Sequence, residues 1–156
     1  MARLYYLEDV RAGEEILSHS RTITEADIVN FAGLSGDFSP LHVDEVWARE
    51  NTPFGGRIAH GMLVSSISYA LRAEIIDSFS LVGWLEVNRR FLAPARAGDT
   101  IHARWVIRET RPSKSRPGTG IVILDIEVVT QDGVVVQSGF DTLMVNCDPE
   151  KAEVNP

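Results

Sequence analysis

The chain is predicted to fold as one α+β domain in which a long buried helix is wrapped by a curved antiparallel β-sheet. Two observations predict it. Gly61 to Leu71 carries no charge at all, as a helix covered on most faces requires. After Gly83 the pattern changes to four long segments rich in Val, Ile, Thr and aromatics, the last two joined by Asp132-Gly133, a strong hairpin signal. Helical segments followed by a run of antiparallel strands give the α+β order.

In chain order, Leu4 to Ser20 reads as a lead-in strand and turn, bent at Arg11-Ala12-Gly13-Glu14. A first helix follows. Thr24 is its N-cap, Asp27 completes a near capping box, and Ile23 and Ile28 stand where a hydrophobic staple places them. Ile28, Phe31 and Ala32 supply the buried stripe, and Gly33-Leu34-Ser35-Gly36 ends the helix. Asp37 to His42 is a structured turn, because Pro40 fixes its own φ and pushes Ser39 toward an extended conformation. A short helix from Asp44 to Glu50 and a loop from Asn51 to Gly56 lead to the central helix, Gly61 to Asp77, which emerges at Arg72, Glu74 and Asp77. The expected strands are Trp84 to Leu92, Asp99 to Glu109, Gly120 to Gln131 and Val134 to Val145.

A length of 156 residues without repeats or linkers gives one domain over residues 1–146, with a loose polar tail over 147–156. The lone Cys147 rules out an internal disulfide and fits a reducing cytoplasm. The N-terminus has no apolar signal region, and no run approaches the ~20 apolar residues of a membrane span. A net charge of −7 argues against nucleic-acid binding. Charge is unevenly distributed, however. Between Arg89 and Arg116 lie eight cations and only Asp99 and Glu109, so either a small anionic ligand is met locally or the strand edges are kept solvated.

The chemistry concentrates in Gly36-Asp37-Phe38-Ser39-Pro40-Leu41-His42 and Ala59-His60-Gly61-Met62. A carboxylate and an imidazole five positions apart can share acid–base work, and Gly61 opens a helix whose free N–H groups can hold a developing oxyanion. Those are the parts needed to add water to an activated acyl group, or to remove it. Alone, Asp37 could cap a turn and His42 could be a satisfied core histidine. His60 reads as a packing residue at the loop's end. His42, Asp44 and His60 match no compact metal-ligand spacing, so no metal is expected. Arg111, Lys114 and Arg116, with serines between two prolines, form a loop that could bind phosphate at low ordering cost or simply remain solvated. Alternation puts Arg89 and Arg90 on opposite strand faces.

Taken together, Gly-Asp-x-x-Pro-Leu-His, Ala-His-Gly-Met, the uncharged helix and the long strands resemble the MaoC-like dehydratase family, from about Ile16 to Val145. That family includes the R-specific enoyl-CoA hydratases and has the hotdog fold. The resemblance implies reversible hydration of a trans-2-enoyl-CoA to the (R)-3-hydroxyacyl-CoA. It assigns Asp37 and His42 as the dyad and Gly61 as oxyanion donor. Ser39, His60, Arg111, Lys114 and Arg116 are then candidates for binding the substrate or its coenzyme A. No cofactor is implied beyond coenzyme A as part of the thioester substrate, and a homodimer or larger homo-oligomer is expected. One position departs: Ser39 stands where hydratases of the family usually have Asn. That leaves room for a branched or dicarboxylic acyl group. Other readings are thioester hydrolysis on the same fold and a non-catalytic acyl-CoA-binding subunit.

Overall fold

Two short strands, β1 (Glu15–Leu17) and β2 (Arg21–Thr22), precede a helical segment: α1 (Glu25–Ser35), α2 (Pro40–Val43), α3 (Glu45–Asn51), α4 (Gly61–Ala70) and α5 (Glu74–Asp77). Four long strands follow: β3 (Leu81–Phe91), β4 (Thr100–Pro112), β5 (Thr119–Thr130) and β6 (Val135–Asn146), then α6 (Pro149–Ala152). This is a computed structural model, and it describes residues 4–71 and 74–152. The strands form one antiparallel sheet in the spatial order β1-β4-β5-β6-β3, with β2 also pairing with β4.

Alternation along the strands builds the core. Ile101, Ala103, Trp105 and Ile107 of β4 and Val122, Leu124, Ile126 and Val128 of β5 are all buried on one face. Each large apolar side chain so buried contributes about 1.5–3 kcal/mol. Against this face α4 sets Leu63, Val64 and Ile67. The predicted hairpin forms at Gly133, whose φ of 78° lies in the left-handed region.

At the start of α1 the Thr24 hydroxyl accepts from the Asp27 N–H, and the Asp27 carboxylate accepts from the Thr24 N–H at 2.8 Å, completing the capping box. Asp44 caps α3 through the Trp47 N–H.

One expectation about the central helix is corrected. It ends at Ala70, with Leu71 leaving helical geometry, and α5 is a separate turn; Arg72 lies outside the described residues. The break lets Ile76 and Phe79 turn back into the core. Cover of α4 leaves one face open. Met62, Ser66, Tyr69 and Ala70 form an exposed stripe, adjacent to β3, where Tyr69 and Trp84 pack with ring centroids 4.8 Å apart.

The segment expected to be a loose tail is tied down as far as it is described. The Cys147 N–H donates to Gly118 O, the Asp148 N–H donates to the Glu8 carboxylate, and Lys151 bridges Asp9 and Asp148. Residues 153–156 lie outside the described residues.

Most of the basic segment is spent on structure. Arg89 makes a bidentate pair with Asp141, both nearly buried. Arg104 lies between Glu15 and Glu127, Arg108 pairs with Asp125 and stacks on Phe140, and Arg111 pairs with Glu109.

Candidate active site

The turn after α1 is shaped by Gly36, whose φ of 76° closes the helix with its N–H on Ala32 O. That reversal throws Asp37 out beside the next helix. The Asp37 N–H donates to Ser35 Oγ, and Asp37 Oδ1 accepts the Ser39 N–H at 3.1 Å. Pro40 occupies the first turn of α2, where its missing N–H costs nothing. One turn of helix is enough to carry His42 inward.

His42 Nδ1 lies 2.8 Å from Ile58 O. A carbonyl can only accept, so Nδ1 carries the proton, which leaves Nε2 to face Asp37 Oδ2 at 4.0 Å. The imidazole is nearly buried, whereas half of the Asp37 side chain is open to solvent. The expected departure at Ser39 does not disturb this arrangement, because its backbone N–H, which any residue but proline has, holds Asp37.

His60 stacks on His42, with centroids 3.8 Å apart and planes at 27°, and its other neighbour is Phe31. His60 Nε2 donates to the backbone carbonyl of Asp37 at 3.0 Å, and its Nδ1 is buried without a partner. The ring therefore braces both Asp37 and His42. Asp37, His42 and His60 bring ligand-type atoms within 4.8 Å of one another. Two of the ring nitrogens in this group are already engaged, His42 Nδ1 with Ile58 O and His60 Nε2 with Asp37 O. Asp44, the carboxylate considered with these histidines from sequence, is occupied as the α3 cap.

His60 is also the N-cap residue of α4, but its side chain caps nothing. The first-turn N–H groups at Gly61 are therefore not satisfied by a cap, and they open on a cavity of 390 Å³. Its walls are mainly apolar, including Leu41, Phe54, Ile58, Val64, Phe91, Leu92 and Val136; its polar groups are Asp37, His42, His60 and Gln137. A Cβ on residue 61 would lie 2.7 Å from Phe91 Cε1. Glycine thus lets the Phe91 ring pack directly on the helix start, and it also bares the backbone toward the cavity.

Residues 9–128 match the MaoC like domain family. The chain belongs to that family. It is 35% identical over 142 residues to an (R)-specific enoyl-CoA hydratase of Rhodospirillum rubrum, covering 91% of this chain and 92% of the relative. It is 39% identical over 99 residues to Protein MaoC of Klebsiella aerogenes, but those residues are 64% of this chain and only 29% of that protein. Among solved structures, a monoamine oxidase regulatory protein from Archaeoglobus fulgius superposes with a TM-score of 0.87 at 35% identity, over 95% of this chain and 98% of that one. A double-hotdog protein of Mycobacterium tuberculosis, at 18% identity and a TM-score of 0.79, covers 94% of this chain and 46% of its own length and shares the fold. The MaoC-like chain is therefore a hotdog domain, as the sequence resemblance implies.

The remaining site candidates separate from this centre. Arg111, Lys114 and Arg116 are exposed and none lines the cavity. Their loop joins β5 beside Asn146, whereas the cavity lies at Gln137. Nine residues of strand separate those levels, about 30 Å. Ser39 does not line the cavity either. One residue escaped sequence reasoning. Gln137 is 2% exposed, reaches the first turn of α4 and lines the cavity. The available signal was an amide closing the apolar run Val134-Val135-Val136.

Proposed function

We propose that this MaoC-like domain adds water reversibly across the C2–C3 double bond of a trans-2-enoyl-CoA, giving the (R)-3-hydroxyacyl-CoA, with no other cofactor. The observation that carries this reading is the 4.0 Å approach of Asp37 Oδ2 and His42 Nε2 at the mouth of a cavity opened by an uncapped helix start. A water held between those two atoms is aimed at C3. One of the pair takes its proton as the O–C3 bond forms. Electron density moves through the conjugated system onto the thioester oxygen, where the Gly61 N–H receives it. The enolate then takes a proton at C2 from the dyad, which regains its starting protonation.

The described cavity lining contains no Lys or Arg, which favours an uncharged acyl chain over a dicarboxylic one. The R-specific hydratase relative supports the reaction and its stereochemistry.

The reading includes a homodimer in the cytoplasm. Within the described sheet β3 pairs only with β6, and it exposes Leu85, Val87 and Phe91. Antiparallel pairing of two β3 strands about a two-fold axis continues the sheet. It also brings the partner subunit's Lys114 and the partner subunit's Arg116 to the end where this chain's cavity opens. From β3 to the partner's β5 is then three strand spacings, about 14 Å, instead of 30 Å within one chain. In this arrangement the basic loop binds coenzyme A phosphates across the dimer.

The test is loss of the conjugated ultraviolet absorption of trans-2-enoyl-CoA esters of several lengths and branchings, with chiral analysis of the product. Asp37→Asn and His42→Ala are expected to lower the rate at least ~100-fold. Release of free CoA thiol would instead establish thioester hydrolysis, and binding without turnover would leave only an acyl-CoA-binding subunit.

A further inference from the structure

Strand β6 is irregular where it meets the cavity. Val128 of β5 pairs with Gln137 while Val129 pairs with Val135, so Val136 is one residue in excess. Such a bulge breaks the two-residue alternation and re-aims a side chain. Here it turns both Val136 and Gln137 inward, and both are buried against the cavity.

An amide buried there must find partners, and both ends of Gln137 do. Its Nε2 donates to the backbone carbonyl of Gly61 at 2.7 Å. Its Oε1 accepts from Ser65 Oγ at 2.9 Å, one turn further along α4. The Ser65 hydroxyl also lies 3.2 Å from Gly61 O, but its single proton serves the shorter bond. A forked side chain from the sheet thus grips two consecutive turns of the helix.

We infer that Gln137 is a positioning residue that sets the direction of the α4 N-terminal N–H groups toward the reacting thioester, a role that rests on the hydratase reading above. Two physical effects support it. The latch resists rocking of the first helical turn, whose N–H groups have no side-chain cap to hold them. A donor on Gly61 C=O also polarises the Gly61–Met62 peptide unit, making the Met62 N–H a stronger donor beside that of Gly61. Neither effect touches the dyad, which is held by Ile58, Ser39 and His60. An oxyanion donor matters most when charge has developed on the thioester oxygen, so the loss belongs to kcat more than to KM.

The experiment compares Gln137→Met, close in shape but without the amide, with Ser65→Ala, which frees Oε1 and leaves the bond to Gly61. Each is measured for kcat, KM, the pH profile of kcat, Tm and amide hydrogen exchange at Gly61 and Met62. Gln137→Met is expected to lower kcat about 10- to 100-fold, with KM within about threefold, an unchanged pH profile and faster exchange at both amides. Ser65→Ala is expected to follow in the same direction with a smaller loss. The double variant should lose less than the product of the two single losses, because both act through one latch. A Gln137→Met protein that stays folded and keeps wild-type kcat and exchange overturns the proposal while leaving the hydratase reading intact. So does one whose pH profile and KM shift along with kcat, since that marks general loosening of the site. If Gln137→Met fails to fold, Ser65→Ala decides between the same outcomes. A wild-type protein that hydrates no enoyl-CoA removes the hydratase reading itself, and this role with it.

Discussion

Gly61→Ala separates the catalytic account of the helix start from a purely structural one. The new methyl would sit 2.7 Å from Phe91 Cε1 and 2.8 Å from Cδ1. Ordinary carbon contacts need about 3.5–4.0 Å, so ring and helix tip must separate by roughly 1 Å. Phe91 is 58% exposed within one chain, so there its ring can swing away cheaply. Overpacking of about 1 kcal/mol, the low end of its usual range, is offset in part by the better helix propensity of alanine, up to ~1 kcal/mol. Stability should therefore change by less than about 1 kcal/mol. Activity should not escape, because both the methyl and the displaced ring intrude where the thioester must reach the Gly61 N–H. A misplacement of this size costs about 100-fold in rate. The assay pairs a thermal melt with steady-state hydration of a short enoyl-CoA: a Tm within a few degrees of wild type and kcat/KM down 30- to 100-fold are expected, taking the same proximity argument. Adding Phe91→Ala should recover part of the loss by giving the methyl room. Full activity in Gly61→Ala would refute the reasoning, since a thioester that tolerates a side chain there does not bind at that N–H.

Two further outcomes are expected. Burial alone would raise the Asp27 carboxyl, but the bonds from Thr24 and the charge of Arg21 outweigh it and hold its pKa below the ordinary value. A group lowered on folding stabilises above its unfolded pKa and loses that contribution as pH falls through the folded one. Asp27→Ala should thus cost about 1 kcal/mol near neutral pH, and urea titrations should show the gap closing as pH drops below about 4. Replacing Arg111, Lys114 and Arg116 together by alanine should raise KM for CoA esters several-fold. It should leave KM unchanged for a truncated thioester without the nucleotide phosphates, and equal effects on both substrates would disprove phosphate binding by the loop.

The sequence carried the parts whose signals are local. Thr24 and Asp27 announce a helix start because a capping box is satisfied within four residues, and Asp132-Gly133 announces a hairpin for the same reason. The approach of Asp37 and His42 was legible because Pro40 forces a short turn that brings positions 37 and 42 together. Contacts between distant strands left fainter marks. Val136 is in excess only relative to β5, so the bulge that turns Gln137 inward is written in the register of two strands and in neither alone. The end of α4 at Ala70 has no glycine or proline to mark it. The charge-free run Gly61 to Leu71 implied cover on most faces, which leaves room for the one stripe that is bare within a single chain.

The proposed homodimer would account for both that bare stripe and the distance of the basic loop from the cavity. A single chain holds Asp37, His42, the uncapped start of α4 and a mainly apolar cavity at one end of its sheet, and the cations Lys114 and Arg116 at the other. Lys114 and Arg116 are exposed and have no ion-pair partner among the described residues, whereas Arg89, Arg104, Arg108 and Arg111 are all paired. On the hydratase reading, Lys114 and Arg116 lie about 30 Å along the sheet from the cavity of their own chain. The unpaired edge of β3 and the exposed side of α4 offer the surface on which a second copy would reverse the sheet's direction. Two-fold symmetry would then place each chain's cations beside the other's pocket, so the same surface that buries the stripe would complete the substrate site.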